Sequence, residues 1–275
     1  MSRLPASPLL MLVLLLAGAR ADGQLITAHR GASHDAPENT LAAFRLAWEQ
    51  GADAIEGDFR LTRDGQIICV HDADTSRVAG TAHVVAETSF TDLRRLDAGR
   101  WKDERFAGER LPSFAEVLAT VPPGKRFFIE LKTGPEIVPK LGEELAAWPG
   151  DRSLLTIIAF NPDTVAACKR AFPEIRAHWL TSIKQDETTG AWGPAAEEIA
   201  ATAAACGADG VGLKGERRVV DQAFVERLGS GGVREFHVWT IDEPEDARAF
   251  RELGAIGITT NRPAFIRAAL GPPAR

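Results

Sequence analysis

The sequence lacks the features that mark a nucleic-acid binder, a disulfide scaffold or a membrane span. Its 32 Lys and Arg are outnumbered by 38 Asp and Glu, for a net charge of −6, whereas nucleic-acid affinity comes largely from clustered cations on phosphates. No nucleic-acid partner is expected. A small anionic substrate fits that balance wherever positive groups are local. Only three cysteines occur, Cys69, Cys168 and Cys206, far apart in the chain. A disulfide framework would show an even, closely spaced set, so these are predicted to be buried apolar thiols. No linker rich in Gly, Ser or Pro divides the chain, and no tract is of low complexity.

What is present begins with Arg3, an unbroken apolar run from Leu9 to Leu16, and small residues ending in Ala19-Arg20-Ala21. The run is well short of the roughly 20 apolar residues of a spanning helix. The pattern is that of a secretory signal peptide over residues 1–21, cleaved after Ala21. The mature protein is expected to be secreted or periplasmic, with no stable membrane span.

The 275 residues are 45% apolar and 25% charged, enough for one large core. After residue 24, short β-branched apolar runs alternate with stretches of helical spacing, the mark of strand-helix units. Strands are predicted near 25–28, 53–57, 127–131, 154–159, 175–180, 209–213, 235–240 and 256–259. Helices follow most of them. Pro37-Glu38-Asn39-Thr40 precedes the first, where Asn39 or Thr40 would cap and acidic Glu38 favours a helix start. Pro162, Pro244 and Pro263 each stand where a helix would open after a strand. Eight such units predict an α/β fold, a (β/α)8 TIM barrel spanning 25–269 as a single domain. An open doubly wound sheet is the alternative. Residues 59–112 break the rhythm: a second short strand, Gln66 to Val70, follows the turn at Asp64-Gly65, and a mostly polar excursion comes next.

Barrel enzymes carry their functional side chains at the C-terminal ends of the strands. His29 and Arg30 end the first predicted strand, Glu56 and Asp58 the second, His71 and Asp72 the short extra strand. Glu130 and Lys132 end the third barrel strand, and Trp239 the seventh. Residues two apart on a strand point to one face, so Glu56 and Asp58 aim at one point, and Glu130 and Lys132 repeat that geometry one strand over. Three uncompensated carboxylates would repel one another and drive some to protonate; a bound divalent cation resolves the conflict. Oxygen ligands without Cys favour Ca²⁺ or Mg²⁺. Zinc held through His29 or His71 is one alternative, and simple ion pairing with Arg30, Arg60 and Lys132 is another.

Histidine titrates near neutrality, so His29 and His71 at one mouth suit general base and general acid in a hydrolytic step. Arg30 and Lys132 suit a phosphate or phosphodiester. Metal, proton-transfer groups and cations together specify phosphoryl chemistry better than any one alone. Other signals are bland. Gly210, Gly212 and Gly215 match a dinucleotide-binding spacing but fall largely inside an apolar strand. His34, His83, His178 and His237 have no carboxylates at ligand spacing and are expected at the surface or in packing. Glu216-Arg217-Arg218 is expected to be solvated, and Trp239 is either core or a ligand platform.

The stretches His29-Arg30-Gly31, Pro37-Glu38-Asn39-Thr40, Glu56-Gly57-Asp58, Asp64-Gly65 and His71-Asp72 resemble the N-terminal signature of the glycerophosphodiester phosphodiesterase family. The resemblance continues through Leu96-Asp97-Ala98-Gly99, Gly108-Glu109-Arg110-Leu111-Pro112, Glu130-Leu131-Lys132, Val238-Trp239-Thr240 and Gly257-Ile258-Thr259-Thr260-Asn261-Arg262-Pro263. It implies a TIM barrel that hydrolyses glycerophosphodiesters to sn-glycerol 3-phosphate and an alcohol with a divalent cation. By motif position it implies His29 and His71 as the acid/base pair and Glu56, Asp58 and Glu130 as metal ligands. Arg30 and Lys132 fall at phosphate-contacting positions, Glu38 at a supporting polar one, and Trp239 near the substrate. The family often has Asp before the glycine of its last strand, where this chain has Ile256. Alternatives are a lysophospholipase D-like hydrolase on the same barrel and a secreted protein that captures phosphorylated solutes without turnover.

Overall fold

The computed structural model of the chain describes residues 24–271; the expected signal peptide lies outside them. Eight parallel strands form a closed barrel: β1 (Leu25–Ala28), β2 (Ala54–Leu61), β4 (Arg126–Leu131), β5 (Leu155–Ala159), β6 (Arg176–Thr181), β9 (Gly210–Lys214), β10 (Phe236–Trp239) and β11 (Gly257–Thr260). Neighbours pair in that order, and β1 closes the ring by pairing with both β11 and β2. This is the (β/α)8 architecture that the strand-helix rhythm predicts. The open-sheet alternative is excluded because it leaves β1 without a second neighbour.

A helix follows each barrel strand: α1 (Leu41–Glu49), α4 (Phe114–Leu118), α5 (Val138–Ala147), α6 (Pro162–Ala171), α7 (Ala196–Cys206), α8 (Gln222–Ser230), α9 (Pro244–Glu252) and α10 (Pro263–Leu270). Pro162, Pro244 and Pro263 are each the first residue of their helix, where the missing N–H has no partner to lose. Thr40 caps α1, its hydroxyl accepting from the Ala43 amide. Glu38 takes no part in that helix start; its carboxylate is spent on Arg30 and Arg77.

Alternation along the strands sorts the core into two layers. Ile55, Phe59, Phe127, Ile129 and Ile157 face outward into an apolar layer beneath the helices, where Phe59 meets Phe114 edge-on at 4.9 Å and Phe127 at 5.9 Å. Ala54, Phe128, Ile158 and Leu180 form a separate cluster, consistent with the alternate positions filling the barrel interior. Glu56 and Asp58 share the parity of Ala54, and Glu130 that of Phe128.

Strand β2 runs four residues beyond its predicted end, because the antiparallel β3 (Ile67–Cys69) pairs with Phe59, Arg60 and Leu61. The excursion that follows holds two one-turn helices, α2 (Ser76–Ala79) and α3 (Phe90–Leu93). It is less polar within than its sequence suggests: Ile68, Val70, Val78, Val85, Leu93, Ala98 and Leu111 form a buried cluster of their own. A small hairpin, β7 (Lys184–Gln185) with β8 (Trp192–Gly193), stands between β6 and α7. The three cysteines are free and buried, and burial pushes the Cys168 thiol up to about 12.

Candidate active site

The turn between β1 and α1 places the first functional groups. Arg30 and Asn39 both adopt left-handed backbone, each at φ 57, a region that non-glycine residues enter only when the surroundings fix them there. The Asn39 amide donates to the Arg30 carbonyl at 3.0 Å, and the Arg30 amide donates to Glu56 Oε2 at 2.9 Å. Between them Gly31, at φ +80, passes so close to α1 that an added Cβ would sit 2.5 Å from the Ala43 carbonyl carbon. Asn39 then reaches into the barrel mouth, where its side-chain amide donates to Asp58 Oδ2 at 2.7 Å and its oxygen accepts the Asp58 amide at 3.2 Å.

Glu56, Asp58 and Glu130 converge there, each offering an oxygen within 4.8 Å of the others, and all three are buried. Asp58 lies beside Glu130 in the β2–β4 register. Arg30 Nε stands 3.2 Å from Asp58, Lys132 Nζ stands 3.1 Å from it, and Lys132 also bonds to Glu130. The predicted pairing with Arg30 and Lys132 is therefore present. Arg60 instead turns its guanidinium to the His71 carbonyl.

Burial, reinforced by Asp58 and Glu130, holds the Glu56 carboxyl well above the usual carboxylate range. Burial and Asp58 likewise raise Glu130 to about 7. Burial acts upward on Asp58 too, but Lys132 and Arg30 outweigh it and its carboxyl is pulled down. Two cations do not neutralise three carboxylates, and Glu56 Oε1 is buried with no hydrogen-bond partner. An orphaned carboxylate oxygen within an all-oxygen, buried acidic set fits a hard divalent cation.

The histidines flank this cluster with different supports. His29 Nδ1 bonds to Asn261 Oδ1 at 2.7 Å. Asn261 uses its side-chain N–H on Asp242 Oδ2 at 2.6 Å, so its oxygen faces His29 and the ring carries its proton on Nδ1. Ser33 donates to the same oxygen at 2.8 Å, and the Asn261 amide donates to Asp242 Oδ1 at 2.8 Å. Burial, aided by Arg30, pushes the His29 pKa down to about 4. His71 Nδ1 instead bonds to a carboxylate, Asp72 Oδ1, at 2.7 Å. Burial lowers the His71 pKa as well, against the pull of Asp58. In both rings Nδ1 is engaged, and Nε2 makes no hydrogen bond among the described residues.

Trp239, at the end of β10, forms the aromatic side of the mouth. Its ring meets Phe160 at 5.5 Å in a T-shaped contact, and Lys132 Nζ stands 5.7 Å from the Phe160 ring centre. The Trp239 indole N–H is shielded and has no partner among the described residues, and the ring packs against the cluster of Ala54, Phe128, Ile158 and Leu180.

The structure thus brings together His29, Arg30, Glu38, Glu56, Asp58, His71, Glu130 and Lys132, joined by Asn39, Asp72, Arg77, Asp242 and Asn261. Asn261 follows the last strand and could have been found by the strand-end rule; Asp242 and Arg77 have no local signal. His34 is exposed and His83 half-buried, as expected. His178 and His237 are packing residues, but a carboxylate does attend them. Both are buried, bonded to each other at 3.1 Å between Nδ1 atoms, with Glu235 at 2.9 Å from His178 Nε2. They explain the glycine spacing on β9: a Cβ at Gly210 would lie 2.9 Å from His178 Nε2, and one at Gly212 2.5 Å from His237 Nε2. Gly210 and Gly212 make room for imidazoles inside the barrel. Ile256 lies at the opposite end of the barrel from the site, its backbone bonded to Phe236 and Leu25.

A (β/α)8 barrel with this mouth is of the barrel phosphodiesterase class. Residues 29–265 match the model of the glycerophosphoryl diester phosphodiesterase family. The chain is 31% identical over 245 residues to the glycerophosphodiester phosphodiesterase of Caldanaerobacter subterraneus subsp. tengcongensis, across 87% of this chain and 94% of that protein. It is 32% identical over 261 residues to the probable glycerophosphodiester phosphodiesterase 1 of Mycobacterium tuberculosis, across 88% and 91%. Among solved structures, an Oleispira antarctica phosphodiesterase in complex with the product sn-glycerol-3-phosphate superimposes with a TM-score of 0.78 at 24% identity, over 90% of this chain and 97% of that one. The glycerophosphodiester phosphodiesterase of Thermotoga maritima gives 0.69 at 24%, over 92% and 100%. The chain belongs to the glycerophosphoryl diester phosphodiesterase family and is a phosphoric diester hydrolase. No helix among the described residues is long and apolar enough to cross a membrane.

Proposed function

We propose that this enzyme hydrolyses glycerophosphodiesters to sn-glycerol 3-phosphate and an alcohol by proton transfer through His29 and His71 beside a divalent cation. The observation that carries this reading is the pair of anchored histidines at the same mouth as the buried acidic trio. The product bound by the Oleispira antarctica relative supports the choice of substrate.

Glu56, Asp58 and Glu130 would hold Ca²⁺ or Mg²⁺, which when bound supplies Lewis-acid stabilisation of charge on the phosphoryl oxygens. Arg30 and Lys132 bring their positive charge to the same oxygens. His29, kept neutral with its proton on Nδ1, offers the Nε2 lone pair as general base to water or to a neighbouring substrate hydroxyl. His71, backed by the Asp72 carboxylate, suits the general acid, because a carboxylate stabilises the imidazolium more than the neutral amide oxygen beside His29 does. The half-buried Trp239 ring supplies an aromatic wall beside the substrate.

The test is protein stripped with chelator and assayed on a panel of glycerophosphodiesters with Ca²⁺, Mg²⁺ or Mn²⁺ restored. Release of sn-glycerol 3-phosphate only with added metal is expected. Binding without product would make the chain a phosphorylated-solute carrier, and turnover confined to long-chain lysophospholipids would make it a lysophospholipase D-like enzyme. The apolar run ending at Ala21 supports export, so the mature chain is expected to begin at Asp22 outside the cytoplasm. N-terminal mass determination on the protein recovered from extracytoplasmic fractions tests this; an intact Met1 there would refute it.

A further inference from the structure

Arg77 lies outside the barrel, on the one-turn helix α2 of the excursion, yet it ties two parts of the site together. Its guanidinium spends three nitrogens on two carboxylates: Nε on Asp72 Oδ2 at 2.7 Å, and the two terminal nitrogens on the two oxygens of Glu38 at 2.8 Å each. Glu38 Oε1 also accepts from Arg30 at 2.8 Å. An unbroken chain therefore runs from His71 through Asp72, Arg77 and Glu38 to Arg30, and from Arg30 to Asp58.

Both oxygens of Asp72 are committed, Oδ1 to His71 and Oδ2 to Arg77, so the carboxylate cannot rotate without losing one partner. Only a planar, forked cation meets three oxygens of two carboxylates at once. The Arg77 side chain is 43% exposed, and ion pairs of that exposure contribute little to stability. Its geometry serves orientation better than it serves folding.

We propose that Arg77 is a positioning residue for proton donation: it fixes Asp72, and through Asp72 the His71 ring, so that Nε2–H points at the departing alcohol oxygen. The inference rests on the reading of His71 as general acid. In that step the oxygen of water or of a neighbouring substrate hydroxyl bonds to phosphorus and gives its proton to His29 Nε2, the P–O bond to the alcohol breaks, the His71 Nε2–H proton goes to the leaving oxygen, and His71 is left neutral with its Nδ1–H on Asp72.

Leaving-group dependence tests it. One substrate is glycerophosphate esterified to an aliphatic alcohol, whose alkoxide needs a proton to depart; the other is the p-nitrophenyl ester, whose phenolate does not. Arg77→Ala is expected to lower kcat on the aliphatic ester by about 10- to 100-fold, the usual range for losing a partner that orients an active-site histidine, with KM nearly unchanged. The loss on the p-nitrophenyl ester should be far smaller. Arg77→Lys should recover only part of the aliphatic activity, and it carries the same comparison if the alanine variant does not fold. Arg95, on the same excursion with a side chain 75% exposed and, among the described residues, paired only with Asp92, provides the control: Arg95→Ala should match wild type on both esters. An Arg77 variant that loses equally on both esters, or on neither, overturns the proposal. His71→Ala separates the two readings, since an equal loss on both esters in that variant would refute His71 as proton donor whatever Arg77 does.

Discussion

Asp58 and Glu130 stand side by side across the parallel register of β2 and β4, with Lys132 against both. One carboxyl of the pair is pulled down while the other is raised to about 7, and burial holds Glu56 beside them well above the usual carboxylate range. The site without metal therefore stores protons near neutrality.

That storage gives a pH dependence with a definite sign. A carboxyl whose folded pKa lies above its unfolded one binds its proton more tightly in the folded state. Stability of the chelated protein should fall as pH rises from the ordinary glutamate value of about 4.5 through about 7. Cation binding displaces the same protons, so metal affinity should rise over that window and the loaded protein should not share the loss. Melting temperatures with and without metal at about pH 5 and about pH 8 measure both effects. A chelated protein equally stable at the two values would contradict them.

Removing either histidine should act on turnover before binding. His29→Ala and His71→Ala are each expected to lower kcat by about 10²- to 10⁴-fold, the range of a lost general acid or base. Steady-state kinetics on a single glycerophosphodiester suffices, and near-wild-type kcat in both variants would end the assignment.

Asn261 offers a sharper test of which histidine is the base. Asn261→Asp, made together with Asp242→Asn so that the new carboxylate does not face another, would set a negative charge against His29 Nδ1, favour the imidazolium and raise its pKa. The base works only when neutral, so the acid limb of the kcat/KM profile should move to higher pH. An unmoved limb would argue that His29 is not the base.

The paired glycines of β9 make a prediction about stability alone. A side chain at Gly212 would press on Leu180 at 2.4 Å and His237 at 2.5 Å, and overpacking of this kind costs about 1–3 kcal/mol. Gly212→Ala should lower the denaturant midpoint by a corresponding amount, while product release by the folded fraction stays close to wild type.

The barrel was legible because each of its strands is a short apolar run, and because Pro162, Pro244 and Pro263 open their helices on local grounds. The acidic trio was legible because period-two spacing on a strand is enough to aim Glu56 and Asp58 together. The full length of β2 was not, since its last residues are strand only by pairing with β3. The β7 and β8 strands, two residues each, are too short to leave a pattern. Asp242 and Arg77 were hidden for another reason: nothing in the residues around them says which distant side chain they will meet. The small apolar core of the excursion was hidden because its residues are spread over some forty positions with no fixed period, and only folding gathers them.

His29 leaves the first strand and Asn261 leaves the last, and the two are 232 residues apart in the chain. A chain whose last strand has not yet docked already holds the three acidic residues and both histidines, but His29 lacks the Asn261 oxygen at its Nδ1. Turnover would therefore begin only after the final strand has docked, and the appearance of activity would time the closing of the ring.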